Sequence, residues 1–380
     1  MNQVSFVPQR PPPLPPVPVA FSGDRGEFFR LTARGAALEL VTIGFYRFWL
    51  ATDIRRHLWS HTVVDGDAAE YTGQAKELLV GFLFALAILV PINLVYFLVG
   101  VEAERFKAFG SFPLVVGFYA LGQFAIYRAR RYRLTRTVWR GVRFWMDGSG
   151  WAYAWRAMLW GLLTILTLGL ALPWREAALE RYKMRHSYYG DLQGSFEGRG
   201  WEFFKRCWWL WPLSPVAIVL FPLAPFLYAE FKAQEWRWWF SGIRFGGVRL
   251  ESTLPRTAFY GLYWKLIGWF MLLSVAMGGF IGILGFVVTK MGGANLAKGA
   301  APVALSQSIP LVIMTGIGYL ALILSLNVVM RLYLQRDVWA RVSQTVQLHG
   351  IEAAADVAAR GEPANALGEG FADGLDVVGF

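Results

Sequence analysis

Long apolar runs alternate with shorter mixed ones along this chain. Residues 78–100, 266–289 and 309–330 are long and uncharged, and residues 111–127 are shorter but uncharged and rich in aromatics. A helix of about 20 apolar residues crosses the roughly 30 Å hydrocarbon core of a bilayer, so these four runs are expected to be full transmembrane helices. Three further runs are compromised. Residues 36–50 are short and hold Glu39 and Arg47, residues 157–174 end in Leu-Pro-Trp, and residues 208–229 contain Pro212, Pro215, Pro222 and Pro225. Proline interrupts a helix and buried charge is costly in lipid, so these three read as re-entrant or interfacial segments. Seven transmembrane helices is the alternative.

The basic residues favour the smaller number. Arg128, Arg130, Arg131, Arg133, Arg136, Arg140, Arg143 and Arg156 precede the run at 157–174, and Arg175, Arg181, Lys183, Arg185, Arg199, Lys205 and Arg206 follow it. Seven crossings would put these two groups on opposite faces, against the positive-inside rule. Four crossings put both on the cytoplasmic face. Of the 37 Lys and Arg, that leaves Arg105, Lys107, Lys290 and Lys298 outside, and both termini are expected in the cytoplasm.

Between the runs a shorter pattern recurs. Thr62, Gly66 and Gly73 match Thr137, Gly141 and Gly148 at a constant offset, Ser187, Gly190 and Gly198 follow closely, and Ser241–Phe245 is a worn copy. A hydroxyl residue, a turn glycine, alternating aromatics and a closing glycine predict small β-hairpins. Four residues after Gly23, Gly73 and Gly198 come Glu27, Glu77 and Glu202, each placed to meet the N-terminal amides of a following helix; the copy after Gly148 has Ala152. On a longer scale Thr42, Gly44, Trp49, Arg56 and His61 are echoed by Thr167, Gly169, Trp174, Arg181 and His186. The expected fold is therefore an all-α polytopic membrane protein: about four full transmembrane helices, three re-entrant or interfacial segments, and small cytoplasmic β-hairpins carried on internal repeats. Residues 1–20 form a disordered Pro-rich tail, 21–348 the membrane domain, and 349–380 an acidic, mostly disordered C-terminal tail.

Composition supports a membrane location. Hydrophobic residues are 56% of the chain and charged ones 17%, and the mean hydropathy is +0.39, too little charge for the surface of a soluble domain of this size. The net charge of +11 borders apolar runs and alternates with Trp and Tyr, so anionic lipid headgroups are the expected partner, not nucleic acid. The single Cys207 excludes an internal disulfide, and no signal-peptide pattern precedes residue 30.

Phe21–Phe29 (FSGDRGEFF), Thr42–Trp49 (TIGFYRFW), Arg55–Trp59 (RRHLW), Asp65-Gly66 and Tyr71-Thr-Gly73 together resemble the YjgN-like family of bacterial inner-membrane proteins. The likeness recurs at Arg140–Phe144 and at Gly368–Asp376 and covers almost the whole chain after residue 20. The family is a domain of unknown function, so the resemblance implies a multi-pass inner-membrane location and no particular activity. Family members commonly have Asn where this chain has His61 and His186.

The chemistry on offer is sparse. Asp53, His57 and His61 share a helical face at i, i+4 and i+8, but lack an intervening general base, so no metal and no cofactor are expected. No nucleotide-binding, zinc-hydrolase or nucleophile-elbow motif occurs, which argues against an enzyme. Asn93, Gln123 and Asn327 fall within the spans, where polar groups need partners, and are the candidate polar path. Arg130, Arg131, Arg133 and Arg136 are the candidate contacts for anionic lipid. Gly278, Gly282 and Gly285 form a close-packing stripe suited to a homo-oligomer. The best reading is a channel, transporter or lipid-handling protein with a basic, aromatic cytoplasmic face. The rival is a membrane scaffold that holds a partner.

Overall fold

The computed structural model describes residues 15–105, 112–219, 223–291 and 309–362. One order of elements recurs along it: a five-residue strand, a run of helices, and a short strand. The first unit is β1 (Val17–Phe21), α1 (Arg25–Val41), α2 (Arg47–Ser60) and β2 (Thr62–Val64). The second is β3 (Asp67–Tyr71), α3 (Ala75–Arg105), α4 (Phe112–Thr135) and β4 (Thr137–Trp139). The third is β5 (Val142–Met146), α5 (Gly150–Leu166), α6 (Leu172–Arg185) and β6 (Ser187–Tyr189). The fourth has three helices: β7 (Leu192–Phe196), α7 (Gly200–Cys207), α8 (Leu210–Val219), α9 (Ala224–Gly242) and β8 (Ile243–Phe245). The fifth is β9 (Val248–Ser252), α10 (Tyr260–Met291), α11 (Ile309–Met330) and β10 (Val346–His349). In it α11 runs through a π-helical stretch, Arg331–Asp337, into α12 (Val338–Ser343).

These strands overturn the all-α reading. They pair side by side, all antiparallel, into one closed ten-stranded barrel in the order β1-β10-β9-β8-β7-β6-β5-β4-β3-β2. The segments expected as separate small hairpins are its wall. Each unit leaves the barrel by its long strand and returns by its short one, and two-residue turns join successive units. Asp65-Gly66 has φ of 52° and 84°, and Arg140-Gly141 has 49° and 73°; two left-handed residues in succession make the tight turn whose twist matches a β-ribbon. The ring closes where the two ends of the chain meet: Val17 lies opposite Leu348 and Pro18 opposite Gln347. The Pro-rich tail thus stops short of Val17, where β1 begins.

The helices pack outward from the barrel in shared cores. Tyr127, Met146, Tyr153, Ala157 and Leu179 join α4, α5 and α6 to β5, and Phe21, Phe28, Leu50, Ile54, Leu58 and Ala340 join the first unit to α12. Asp24 caps α1 by accepting from the Glu27 amide at 2.7 Å.

Neither four nor seven spans is found. Among the described residues three helices are long and apolar enough to cross a membrane: Ala75–Val99, Tyr260–Val287 and Val312–Ser343. The run at 111–127 lies largely on α4, whose apolar part ends at Tyr127 and passes directly into Arg128, Arg130, Arg131 and Arg133. That leaves it shorter than the roughly 20 residues a span requires. The runs at 36–50 and 157–174 form shorter helical hairpins whose tips are bare and apolar, and that at 208–229 lies mostly on α8 and α9, with residues 220–222 outside the described residues. Val41 is 78% exposed and Ile43 90% at the α1–α2 tip; Ile165 is 73% and Leu168 79% at the α5–α6 tip. The charge within residues 36–50 has a partner, since Glu39 pairs with Arg331 at 3.0 Å.

Candidate functional site: a chamber at the barrel axis

Strands of the barrel and the helices that lead into them line a partly open cavity of about 610 Å³. Its barrel end is lined by Ala69, Trp139, Phe144, Tyr189, Leu192, Phe245 and Leu348, one or more from most of the strands. Period-two alternation turns these side chains inward. Phe144 and Tyr189, directly opposite each other across the β5–β6 pair, have ring centroids 4.7 Å apart with their planes tilted by 40°. Toward the helices the wall is made by Trp59 of α2, Leu134 of α4, Met184 of α6, Phe240 of α9 and Trp339 of α12. Each sits on the last helix of its unit, so one side of every returning helix faces the chamber. Trp59 and Trp339 stack at 5.0 Å where the fifth unit meets the first.

A belt of charge crosses this otherwise apolar space. Glu176, Glu180 and Lys183 occupy one face of α6 at i, i+4 and i+7, opposite Arg130 of α4 and Lys232 and Glu235 of α9. Arg130 lies 3.1 Å from Glu180, Lys183 pairs with the same carboxylate, and Lys232 pairs with Glu235 at 2.6 Å. Burial alone would raise the Glu180 pKa, but the Arg130 and Lys183 charges outweigh it and hold the carboxyl at about 2. Glu176 differs: burial dominates, and its pKa is raised despite a 2.9 Å pair with Arg175. For Lys232 burial opposes the charged form, while Glu235 raises the pKa overall. The belt therefore holds charge of both signs, with one carboxyl, Glu176, whose pKa burial raises.

The far mouth of the barrel is covered by the chain after β10. Gly350 turns at a φ of 70° into a 3₁₀ helix, Ile351–Ala354, and Ile351 and Ala354 line the chamber. Ala354, Trp139, Tyr189 and Val248 form one buried cluster against which Val357 packs. The Ala358 amide donates to Asp191 of the β6–β7 turn at 3.1 Å. Part of the segment expected as a disordered acidic tail is thus a plug; residues 363–380, with the motif at Gly368–Asp376, lie outside the described residues.

The sequence-derived candidates are scattered. Asn93 is exposed on α3 and donates to its own helix at Leu89. Gln123 is buried on α4, and Asn327 on α11 has a buried Oδ1 without a partner; no hydrogen bond joins the three among the described residues. Of the four arginines, Arg130 and Arg133 line the chamber and Arg136 pairs with Glu77 at 2.7 Å. Arg131 is half-buried on the same helix. Around Gly278, Gly282 and Gly285 an added Cβ would meet nothing within 4 Å among the described residues, so the stripe faces away from them. Gly66 and Gly141 make the turns already described. Gly148 has a φ of 82°, and at Gly73 and Gly198 a Cβ would run into the rings of Tyr71 and Phe196. Glu77 and Glu202 both stand in the first turn of a helix. Sequence reading missed Glu176, Glu180, Lys232 and Glu235. The available signal was the i, i+4, i+7 face of α6, whose acids stand within an otherwise basic segment.

A family model described as a bacterial protein of unknown function (DUF898) matches residues 16–238, more than half of the chain. No curated protein matches, and no solved structure does.

Proposed function

The chain belongs to that family of bacterial proteins of unknown function, the YjgN-like family, and from this premise we propose that it is a membrane-embedded lipid-handling protein whose barrel chamber takes up one amphipathic, long-chain molecule. One observation carries the reading: a 610 Å³ cavity with aromatic and aliphatic walls and a belt of paired charge at its helical end. Ligand pockets commonly measure about 300–1,000 Å³ and combine mostly apolar walls with a few placed polar groups. An acyl chain fits the barrel end, and a polar or anionic head fits against Arg130, Lys183 and Lys232. In this reading the three long apolar helices anchor the protein in the inner membrane. The bare tips at Ile43 and Leu168 dip into the same leaflet, and the barrel with both chain ends lies in the cytoplasm, where the positive-inside rule places its arginines. The function is binding and delivery with no chemical step, and anionic lipid is the source of the ligand. The outward-facing Gly278, Gly282 and Gly285 are left for lipid or a second copy, and five successive strand–helix–strand units read as internal repeats of one ancestral piece.

The test is lipid analysis of the detergent-purified full chain by native mass spectrometry, alongside Ala69→Phe, which fills the chamber from β3. We expect one retained lipid-sized adduct on the wild type and its loss from Ala69→Phe at a comparable melting temperature. A wild type without an adduct, and without quenching of its tryptophans by doxyl-labelled fatty acid, would return the chamber to a packing role.

A further inference from the structure

The first unit holds a second constellation, on the rim between barrel and helices. Glu27 of α1 and His57 and His61 at the end of α2 each offer a ligand atom within 4.8 Å of the other two. His57 is 94% buried, being 6% exposed, and its Nε2 has no hydrogen-bond partner, a costly condition for a buried polar atom. The His61 Nδ1 lies 2.7 Å from the His57 carbonyl oxygen. A carbonyl can only accept, so the proton sits on Nδ1 and the Nε2 lone pair of His61 is left available. Glu27 is exposed, so the cluster is reachable from solvent.

The second unit shows what occupies this place when no imidazole is there. Glu77 follows Gly73 at the same interval by which Glu27 follows Gly23. Its carboxylate accepts from Tyr132 and from Arg136, each at 2.7 Å. Arg136 immediately precedes β4 as His61 precedes β2, and Tyr132 stands one helical turn earlier, as His57 does. The cation that Arg136 supplies in the second unit is replaced in the first by a neutral-capable nitrogen donor, and Tyr132 by another. No ion pair of Glu27 occurs among the described residues.

We propose that Glu27, His57 and His61 bind a divalent transition-metal ion of the zinc class, which ties α1 to the end of α2 as the Glu77–Arg136 pair ties α3 to α4. Two imidazoles and one carboxylate are a donor set suited to Zn²⁺, with Zn–N near 2.0–2.1 Å and Zn–O near 2.0–2.2 Å and the fourth position open to water. Ligand atoms about 3.3–3.5 Å apart satisfy a tetrahedron of those bond lengths, so small side-chain rotations from the present 4.8 Å envelope close the site. Asp53, on the same helix, is not part of it.

The experiment uses the untagged full chain in detergent, stripped with a chelator and titrated with Co²⁺ followed by Zn²⁺. We expect one equivalent of Co²⁺ with visible d–d absorption, displaced by one equivalent of Zn²⁺. Glu27→Gln and His61→Asn, at positions open to solvent, should each weaken Co²⁺ binding at least about tenfold, whereas His186→Asn, the matching position of the third unit, should leave it unchanged. Melting temperatures of the metal-free variants show that each is folded. Absence of a stoichiometric Co²⁺ spectrum in the wild type, or wild-type Co²⁺ affinity retained in Glu27→Gln or His61→Asn, overturns the proposal.

Discussion

At the scale of single residues the chamber depends on Glu180. Its carboxylate stands between Arg130 and Lys183, with its side chain 9% exposed, and removing the negative member leaves two buried cations facing each other. Breaking a buried ion pair from one side costs about 3–5 kcal/mol, so Glu180→Gln should lower the melting temperature well beyond any surface substitution. The pH dependence has a definite sign. The folded pKa of about 2 lies below the ordinary 4.5, so the stabilisation is complete above about pH 4.5 and is lost as pH falls toward 2. Glu176, raised by burial, works the other way: its charged form costs stability, and protonation relieves that cost as pH falls. Acid titration of stability in wild type and Glu180→Gln should therefore diverge above pH 4.5 and converge near pH 2. Parallel curves would show that the Glu180 charge is worth little. None of this was legible in advance. Residues at i, i+4 and i+7 on α6 mark a common face, but not that Arg130, fifty positions earlier, lies against it.

At the scale of elements, the echo between Thr42-Ile43-Gly44 and Thr167-Leu168-Gly169 turns out to encode one device, an inter-helix turn. Both threonines bond back to the preceding helix, at 2.7 and 2.8 Å, and accept from the first amides of the next one, Tyr46 and Ala171, at 2.9 and 3.1 Å. The glycine amides reach back to Glu39 and Thr164. Between them Ile43 and Leu168 adopt φ of 52° and 50°, a left-handed conformation that costs a side-chain-bearing residue about 1–2 kcal/mol. A strained aliphatic residue left 90% exposed makes sense if lipid covers it. Cys207 is buried and its thiol is pushed by burial up to about 12, so Ile43→Cys offers a singly reactive site for an environment-sensitive dye. In nanodiscs the dye should emit as in an apolar medium and be quenched by lipids brominated near the headgroup; emission unchanged from detergent-free water would place the tip outside the bilayer. The tight turns of the barrel were legible for a related reason. Only a few residue types tolerate two left-handed residues in succession, so Asp65-Gly66 announces a hairpin. What α4 does was not legible, because its apolar half resembles a span until the arginines after Tyr127 are seen to face a chamber and neighbouring helices.

At the scale of the molecule everything rests on closure of the barrel, and closure rests on the two ends of the described chain. Strands of three to five residues contribute few hydrogen bonds each, and an open sheet of such strands would expose unpaired edges at β1 and β10. The β1–β10 pairing joins residues more than three hundred positions apart, so no local pattern could signal it; hairpins are visible in sequence because their partners are adjacent, and rings are not. The fifth unit also reaches the first through side chains. Asp337 of the π-helical stretch pairs with Arg25 at 3.2 Å, and Arg336 donates to the Gly23 carbonyl at 2.5 Å. Val17 and Leu348 face each other directly, and opposed residues of an antiparallel pair bring their Cα atoms to about 4.5–5.5 Å, within the span of a disulfide. A Val17→Cys, Leu348→Cys double variant should therefore oxidise to a single intramolecular crosslink, seen as a mobility shift on a non-reducing gel that thiol reductant reverses. The loop so closed is nearly the whole chain, for which loop-closure entropy places the gain near the upper end of the usual 2–4 kcal/mol. The oxidised form should melt at higher temperature than the reduced one. Val17→Cys paired with Gly141→Cys, which lies in the β4–β5 turn several strands away around the ring, serves as the geometric control and should not crosslink. A Val17–Leu348 pair that resists oxidation while the control crosslinks would mean that β1 does not seal the ring, and the chamber would then open along that edge.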